Sequence, residues 1–272
     1  MTLKFKLLLL VSFLTIHTAF AQSSVFQLDK LDSADFKSFI DSKKVIAVGE
    51  MHGTTEVPWF VLELLQQFSQ EDQKLTVGLE INSNYQKDLD LYMESGDFEK
   101  LIALDYFKTQ DGRTSEAVGE LIKGIRALKN VEVICFDVQS GLGLSTNERD
   151  SLMGVNLSQG YKEGRLIVLT GNLHANLKEG FWRPAFKSAI YHFNHIKGFD
   201  SQLISLNTYF GEGTYWNCMS DGCKERAVSG NKELSEYGKN YMLVYPDEPR
   251  AGYSGFLYFD NVIASKPLVS KE

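Results

Sequence analysis

The sequence is poor in the features on which several large protein classes depend. Acidic residues outnumber basic ones by 35 to 28, so the chain has no excess of basic residues to bind nucleic-acid phosphates. Nucleic acid is therefore not an expected partner. After residue 21, no apolar run approaches the roughly 20 residues that a helix needs to span a bilayer, so we expect no transmembrane anchor.

Four common catalytic signatures are also missing. The chain has no Gly-x-Ser-x-Gly elbow, no His-Glu-x-x-His zinc motif, no Gly-x-Gly-x-x-Gly fingerprint and no phosphate-binding P-loop. Serine hydrolases, zincins, nucleotide enzymes and dehydrogenases are disfavoured as a result. Hydrolysis by an activated water remains open, and any bound metal would need ligands that are distant in sequence.

The first 21 residues have the pattern of a secretory signal peptide. Lys4 and Lys6 precede an apolar stretch at residues 7–14, and Ala-Phe-Ala at residues 19–21 is a small-x-small cleavage site. We therefore expect the protein to be exported, as a periplasmic or secreted protein, after cleavage near Ala21. No cysteine stands directly after the cleavage site, which argues against a lipid anchor.

The chain has only three cysteines. Cys218 and Cys223 bracket a turn-like tetrapeptide, and in an exported protein this spacing predicts a short disulfide loop. A zinc site would need two more ligands nearby, and the sequence has none there. Cys135 lies within an apolar run and is expected to be a small core residue.

Apolar runs that alternate with amphipathic segments predict the fold. The predicted strands are at residues 45–49, 75–81, 131–137 and 165–171. Helices are predicted at 57–69, 83–104, 115–129, 147–162 and 181–195, and short β-runs follow at 201–210, 214–218, 241–245 and 255–260. This order indicates an α/β fold with a central parallel or mixed sheet and helices on both faces. We expect a single domain over 22–272, with a core at 43–210 and a β-rich C-terminal extension at 211–272.

Two matching Gly-x-x-His motifs stand where predicted strands end. They are Gly-Glu-Met-His at residues 49–52 and Gly-Asn-Leu-His at residues 171–174. Ligands of parallel sheets collect at the carboxyl ends of the strands. The other two strands lead into Glu80 and Asp137, so we expect all four strand ends to bring polar side chains to one edge: Glu50, His52, Glu80, Asp137, Asn172 and His174.

This set of motifs resembles one superfamily. The order Gly-Glu-Met-His-Gly-Thr at 49–54, Gly-Leu-Glu at 78–80, Asp-Gly-Arg-Thr-Ser at 111–115 and Gly-Asn-Leu-His-Ala at 171–175 is similar to that of erythromycin esterases, ChaN-type haem-binding proteins and Tiki proteases. The resemblance spans roughly residues 43–176. It implies an erythromycin-esterase/ChaN-like α/β domain whose polar cluster either activates water or holds a metal or metal cofactor. The first motif of the Tiki branch lacks a glutamate, whereas this chain has Glu50 there, so the resemblance is to the esterase-like and ChaN-like branches more than to the Tiki branch.

The residues themselves suggest the same chemistry. A histidine beside a carboxylate can act as a general base at neutral pH. We expect His52 to be that base, with Glu50 and Glu80 orienting it. Arg113 and His174 would position the substrate. Arg113 could clamp a substrate carboxylate or stabilise an oxyanion, and His174 could serve as a second base or bind the leaving group. The residues assigned substrate-binding or supporting roles are Asp137, Arg149, Asp150 and Asn172.

Each candidate also has a structural interpretation. His52 could cap the following helix, and Glu50 could interact with that helix's dipole. A buried Glu80 needs a partner, which a salt bridge alone could supply. The remaining structural alternatives are helix entry for Arg113, a loop cap for Asp137 and a first-turn acid for Asp150.

Three functions are compatible with these residues. The preferred hypothesis is an exported hydrolase, resembling erythromycin esterase, that cleaves an ester or related bond and requires no haem. The main alternative is a ChaN-like haem or iron carrier, with ligands from the two histidines or from the C-terminal tyrosines Tyr209, Tyr215, Tyr241, Tyr245, Tyr253 and Tyr258. The third is a Tiki-like protease with a divalent metal held by His52, Glu80 and His174. The expected partner is a small-molecule substrate or haem; the sequence leaves the substrate, the cofactor and the oligomeric state open.

Overall fold

A computed structural model describes residues 23–70, 74–139 and 141–270. The predicted signal peptide lies outside these residues. The strands are β1 (Ser24–Gln27), β2 (Val45–Glu50), β3 (Leu75–Asn82), β4 (Val131–Asp137), β5 (Arg165–Gly171), β6 (Leu203–Met219), β7 (Gly222–Ala227), β8 (Asn240–Val244) and β9 (Gly255–Val262). The α-helices are α1 (Ala34–Asp41), α2 (Glu56–Phe68), α3 (Gln86–Ser95), α4 (Phe98–Ile102), α5 (Glu116–Ala127), α6 (Thr146–Gly160), α7 (Asn172–Ala175) and α8 (Ala189–Lys197).

The strands form one mixed sheet in the order β1-β8-β9-β6-β2-β5-β3-β4, and β7 pairs with β6. Six neighbouring strands, from β4 to β9 in that order, are parallel. The edge strand β1 pairs antiparallel with β8, which in turn pairs antiparallel with β9. The predicted α/β fold with a mixed sheet and a strand-rich C-terminal region is confirmed.

Both faces of the sheet are covered by helices, and the residues of β2 show why its sequence is apolar throughout. Ile46 and Val48 join the core cluster that contains the buried residues of α2 and α5. Val45 and Ala47 join the opposite cluster, with the buried residues of α6 and α8. Because successive strand side chains point to opposite faces, a strand covered on both sides needs apolar residues at every position.

The predicted helix at residues 181–195 is wrong in its first half. The helix begins only at Ala189, where the Ser188 side chain caps it by accepting a hydrogen bond from the Tyr191 amide at 3.1 Å. Pro184 disfavours helical backbone at the preceding residue, and Ala185 has a left-handed φ of 60°. Residues 178–185 are therefore an exposed loop.

The predicted β-runs at 201–210 and 214–218 are one strand, β6. Gly213 lies between them, and a glycine at this position suggests that the strand ends there. Its φ is 112°. The strand continues because its first part pairs with β2 and β9 and its last part pairs with β7. The sequence does not predict two short strands, β1 and β7, or helix α1; α1 buries only two residues, so its apolar pattern is weak.

Cys218 and Cys223 lie opposite each other on the β6–β7 hairpin and form the predicted disulfide. Cys135 is a buried free thiol, as expected for a core residue. No helix in the described part of the chain is long and apolar enough to cross a membrane. The division into a core and an extension stays a prediction, although β8 and β9 belong to the same sheet as β2 to β5.

Candidate active site

Glu80 lies at the centre of the polar cluster, and the local structure of β3 places it there. The pairing of β3 with β5 ends at Leu79, and its register with β4 shifts between Leu79 and Asn82. Such irregularities re-aim side chains at sheet edges. The Glu80 carboxylate accepts hydrogen bonds from the Thr170 hydroxyl at 2.6 Å and from the Gly171 amide at 2.7 Å. These bonds fix the carboxylate beneath the end of β5.

His52 forms the first histidine–carboxylate pair. Its Nδ1 lies 2.9 Å from Oε1 of Glu50, two residues earlier in the same motif. Its Nε2 faces Oε2 of Glu80 at 3.8 Å, which is beyond hydrogen-bonding distance. The His52 side chain is 26% exposed, whereas Glu50 is buried. A bond from Nδ1–H to Glu50 leaves the lone pair of the neutral ring on Nε2.

His174 forms the second pair, and its carboxylate comes from another element. Its Nδ1 lies 2.7 Å from Oδ1 of Asp150 on α6. Asp150 is fully buried and also accepts a hydrogen bond from the Ala189 amide at the start of α8. The Nε2 atom of His174 lies 3.0 Å from an Arg149 guanidinium nitrogen. Because arginine can only donate, this contact requires a neutral His174 with its proton on Nδ1.

Arg149 connects the acids of the cluster. Its guanidinium donates to Oδ1 of Asp137 at 2.9 Å and to Oε1 of Glu80 at 3.2 Å, in addition to the contact with His174. Asp137 also accepts a hydrogen bond from the Val138 amide, so it caps its loop and holds the arginine. Arg149 is thus hydrogen-bonded to three side chains of the cluster.

Gly171 allows the two histidines to approach the end of β5. A Cβ atom at this position would lie 3.0 Å from Nε2 of His52 and 3.5 Å from the His174 ring. The space between the two imidazoles and Glu80 would then be filled by a side chain. Glycine in the second motif therefore keeps the Nε2 side of His52 open.

The charges of the cluster shift the pKa values of its members. Burial alone lowers the pKa of His52, but the carboxylates of Glu50 and Glu80 outweigh it and raise the pKa above its ordinary value of 6.5. The pKa of His174 is raised for the same reason: burial and Arg149 lower it, but Glu80 and Asp150 together outweigh them. Burial raises the pKa of Glu80, yet both histidines and Arg149 hold it well below its ordinary value. Glu80 is therefore a carboxylate at neutral pH.

Arg113 lies beside this cluster, and the hydrogen bonds of its side chain go to Asp111. Its Nε and Nη2 donate to Oδ2 of that residue at 3.2 and 2.6 Å. The charge of Arg113 still acts on the site, because it lowers the pKa of His52. The side chain is 39% exposed, so part of the guanidinium can meet a ligand.

Asn172, the second residue of the second motif, packs against the first motif. Its Oδ1 is buried with no hydrogen-bond partner among the described residues, and it lies close to Gly49 of the first motif. Its backbone carbonyl accepts a hydrogen bond from the Tyr253 hydroxyl at 2.7 Å. The side chain of Asn172 thus contributes close packing between the strand ends.

Three residues that complete the site are not identified by the sequence patterns. The Thr170 hydroxyl donates a hydrogen bond to the Glu80 carboxylate, and Asp111 accepts one from Arg113. The Tyr106 hydroxyl donates to the Glu80 backbone carbonyl at 2.7 Å. Thr170 and Asp111 could both have been suspected, because Thr170 directly precedes the second Gly-x-x-His motif and Asp111 begins the segment at 111–115 that contains Arg113. Tyr106 gives no such signal, since it lies 26 residues from its partner.

The donor set does not suit a metal at this cluster. No group of three or more His, Cys, Asp or Glu residues in the described ranges is arranged to hold a metal ion. Nε2 of His174, the atom that would ligate a metal, already accepts a hydrogen bond from Arg149. A cationic guanidinium within the ligand set would also repel a divalent ion.

The residues predicted as haem ligands differ in how available their side chains are. Nε2 of His52 is open and faces Gly171 and the Glu80 carboxylate. Tyr241 and Tyr258 are completely buried in a separate cluster between β8 and β9. The Tyr253 hydroxyl is bonded to the Asn172 carbonyl, and the remaining three tyrosines lie on β6 or directly after β8.

The fold and the cluster define an α/β protein with a histidine–carboxylate site at the carboxyl edge of a mixed sheet. Solved structures with this fold include a variant of erythromycin esterase EreC in its open conformation (TM-score 0.64, 9% identity, 91% of this chain and 100% of that chain). A succinoglycan biosynthesis protein is similar to the same degree (TM-score 0.64, 9% identity, 86% and 91% covered). A third is a protein from Bacillus cereus (TM-score 0.61, 15% identity, 90% and 94% covered).

At these identities the likeness shows a shared fold. An erythromycin esterase is among the structures that share it, in agreement with the superfamily resemblance of the motifs. No protein-family model matches the sequence, and no curated protein matches it.

Proposed function

We propose that this protein is an exported hydrolase that cleaves an ester or a related bond with a water activated by His52. The observation that carries this proposal is the Glu50–His52 pair, in which the Nδ1 contact of 2.9 Å leaves Nε2 without a hydrogen-bond partner among the described side chains. A base needs an accessible lone pair and a fixed tautomer, and this pair supplies both.

The reaction would use the residues in a definite order. Nε2 of neutral His52 takes a proton from water as the water oxygen attacks the carbonyl carbon of the substrate. Glu50 stabilises the imidazolium that forms, because its carboxylate accepts the Nδ1–H bond. The same imidazolium then protonates the leaving oxygen, and the ring returns to its neutral state.

The two arginines would have separate tasks. Arg149 has three contacts within the cluster and is a positioning residue, which holds Glu80, Asp137 and His174 in place. Arg113 is fixed by Asp111 on one side and partly exposed on the other, so it is the cation placed to meet an oxyanion or a substrate carboxylate.

A panel of soluble ester and peptide substrates would test this function. We expect hydrolysis of at least one ester by the wild type without added haem or metal, and its loss in His52→Gln. A visible absorption titration with haem serves as the opposing measurement. Stoichiometric haem binding that His52→Gln abolishes, together with no turnover on any substrate, would replace the hydrolase with a carrier.

Export is a separate part of the proposal. The disulfide between Cys218 and Cys223 is compatible with an oxidising compartment. N-terminal sequencing of the product recovered from outside the cytoplasm should give Gln22 as the first residue. An uncleaved chain retained in the cytoplasm would contradict it.

A further inference from the structure

The loop that follows the second histidine motif has an unusual surface. It runs from residue 177 to residue 187 and exposes Phe181 (42%) and Trp182 (45%) to solvent. Arg183 stacks over the Trp182 ring, with its guanidinium carbon 3.9 Å from the ring centroid. Buried Phe186 contacts the same ring edge-on. Trp182 is thus held in place by neighbours of the same loop.

The charge of this loop is opposite to that of the whole protein. Residues 177–187 contain three basic residues and one acidic residue, whereas the full chain has a formal charge of -7. The single acid, Glu179, lies 3.6 Å from Lys187. Lys178 and Arg183 are exposed. The loop is therefore a basic and aromatic patch on an acidic molecule.

A second loop, which is apolar, lies next to this one. Residues 141–145 carry no charge and expose Leu142 and Leu144. Asn147, two residues further on, bonds through both ends of its amide to the first loop, at the Ala185 carbonyl and the Lys187 amide. The acid nearest to this loop, Glu148, is engaged in the capping box of α6 with Ser145.

Both loops follow strands that end at the active-site edge. The first loop begins three residues after His174, and its Phe181 packs edge-on against Tyr253, which bonds to Asn172. The second follows β4, which ends at Asp137. The patch therefore borders the histidine–carboxylate cluster.

We propose that residues 177–187, together with Leu142 and Leu144, dock the protein on an anionic lipid surface. Tryptophan and phenylalanine settle at the boundary between lipid headgroups and acyl chains. Lysine and arginine beside them are attracted to anionic headgroups. Docking in this way would place the carboxyl edge of the sheet next to the lipid. The proposal does not depend on hydrolysis, since it concerns binding alone.

The structure offers a matched control. Trp59 on α2 has an exposed fraction of 44%, against 45% for Trp182. Its surroundings are acidic: the cavities that it lines include Asp29, Asp32 and Glu63 on one side and Glu116 and Glu120 on the other. A tryptophan at that position has the same apolar surface but the wrong charge around it.

Vesicle co-sedimentation tests the proposal with the full chain. We expect binding to vesicles of phosphatidylcholine mixed with phosphatidylglycerol, weaker binding to phosphatidylcholine alone, and a decrease with added salt. The double variant Phe181→Ser/Trp182→Ser should lower the partition coefficient about tenfold or more, because two large apolar side chains no longer enter the interface. Trp59→Ser should bind as the wild type does. Thermal unfolding of both variants checks that they are folded.

Three results would overturn the proposal. They are no binding to the mixed vesicles, equal losses in Phe181→Ser/Trp182→Ser and Trp59→Ser, and binding that depends on charge but is unchanged in the double variant. Hydrolysis of a soluble ester should be retained in Phe181→Ser/Trp182→Ser. Loss of vesicle binding with retained hydrolysis therefore separates this proposal from the proposed function.

Discussion

The two Gly-x-x-His motifs are alike in sequence but differ in their surroundings. His52 takes its carboxylate from its own motif, keeps Nε2 unbonded among the described residues and is 26% exposed. His174 takes its carboxylate from α6, accepts a bond from Arg149 at Nε2 and is only 10% exposed. The same residue type is thus a candidate base in one motif and a bonded part of the framework in the other.

The difference arises from the chain segment after each strand. After β2 the chain turns at Gly53, whose φ is 85° and whose position leaves no room for a Cβ beside the Trp216 backbone. After β5 the chain enters the short helix α7, and His174 turns inward against α6 and α8. A motif therefore specifies the residue at the strand end, and the next element decides its exposure.

The largest expected effect separates the two histidines by activity. His52→Gln should lower kcat/KM at least about 100-fold, because the base is lost. Its effect on thermal stability should be smaller than that of His174→Gln, since the His52 side chain is 26% exposed and the His174 side chain only 10%. Steady-state kinetics and thermal unfolding of the variant give both numbers. A variant that keeps most of its activity would show that His52 is not the base.

His174→Gln should instead change stability. It leaves fully buried Asp150 with the Ala189 amide but without its histidine partner, and the loss of one partner of a buried polar group costs about 1–3 kcal/mol. Denaturant unfolding measures this loss, and His195→Gln on the exposed end of α8 is the control. If His174→Gln is as stable as the wild type and His195→Gln, His174 does not have the structural role proposed for the second motif.

The carboxylates should differ in their effect on pH dependence. His52 must be neutral to act, so kcat/KM should fall as pH drops below its pKa, which the acids hold above 6.5. Glu50→Gln removes one of these acids, so the acid limb of the profile should move to lower pH, and activity on the plateau should fall about tenfold as the base weakens. Asp150→Asn should leave the limb where it is. A limb that follows Asp150 would transfer the role of base to His174.

The smallest expected shift of the pH profile comes from Arg113. Its positive charge lowers the pKa of His52, so Arg113→Gln should move the acid limb to higher pH, opposite to Glu50→Gln. The shift should be smaller, because Arg113 is a weaker influence than either acid. Arg113→Lys keeps the charge and is the matched control. A pH profile in which both variants shift alike would show that the charge does not act on His52.

Much of the fold can be predicted because its main signal is local. The predicted strands at 131–137 and 165–171 have the bounds that the structure shows. The second of these strands is buried at every position, and a strand covered on both faces has a continuous apolar run. The prediction fails at 181–188, where Pro184 and a left-handed Ala185 override an amphipathic pattern. It also fails at Gly213, because pairing with neighbouring strands decides whether a glycine ends a strand.

The site can be predicted less completely. Strand ends in a parallel sheet share one edge, so the meeting of His52, Glu80 and His174 follows from the positions of their strands. The pairing of each histidine with its carboxylate does not. Glu50 is two residues from His52, whereas Asp150 is 24 residues from His174, and no periodicity links the second pair.

The sequence by itself determined the apolar strands, the residues at their carboxyl ends and the spacing of the disulfide, because each depends on neighbours within a few positions. The tertiary structure alone decided which atoms of those residues form hydrogen bonds. It joined Arg149 to Glu80, Asp137 and His174, and it left Nε2 of His52 open. Contacts between distant segments depend on how helices pack on the sheet, and that packing is a property of the whole chain.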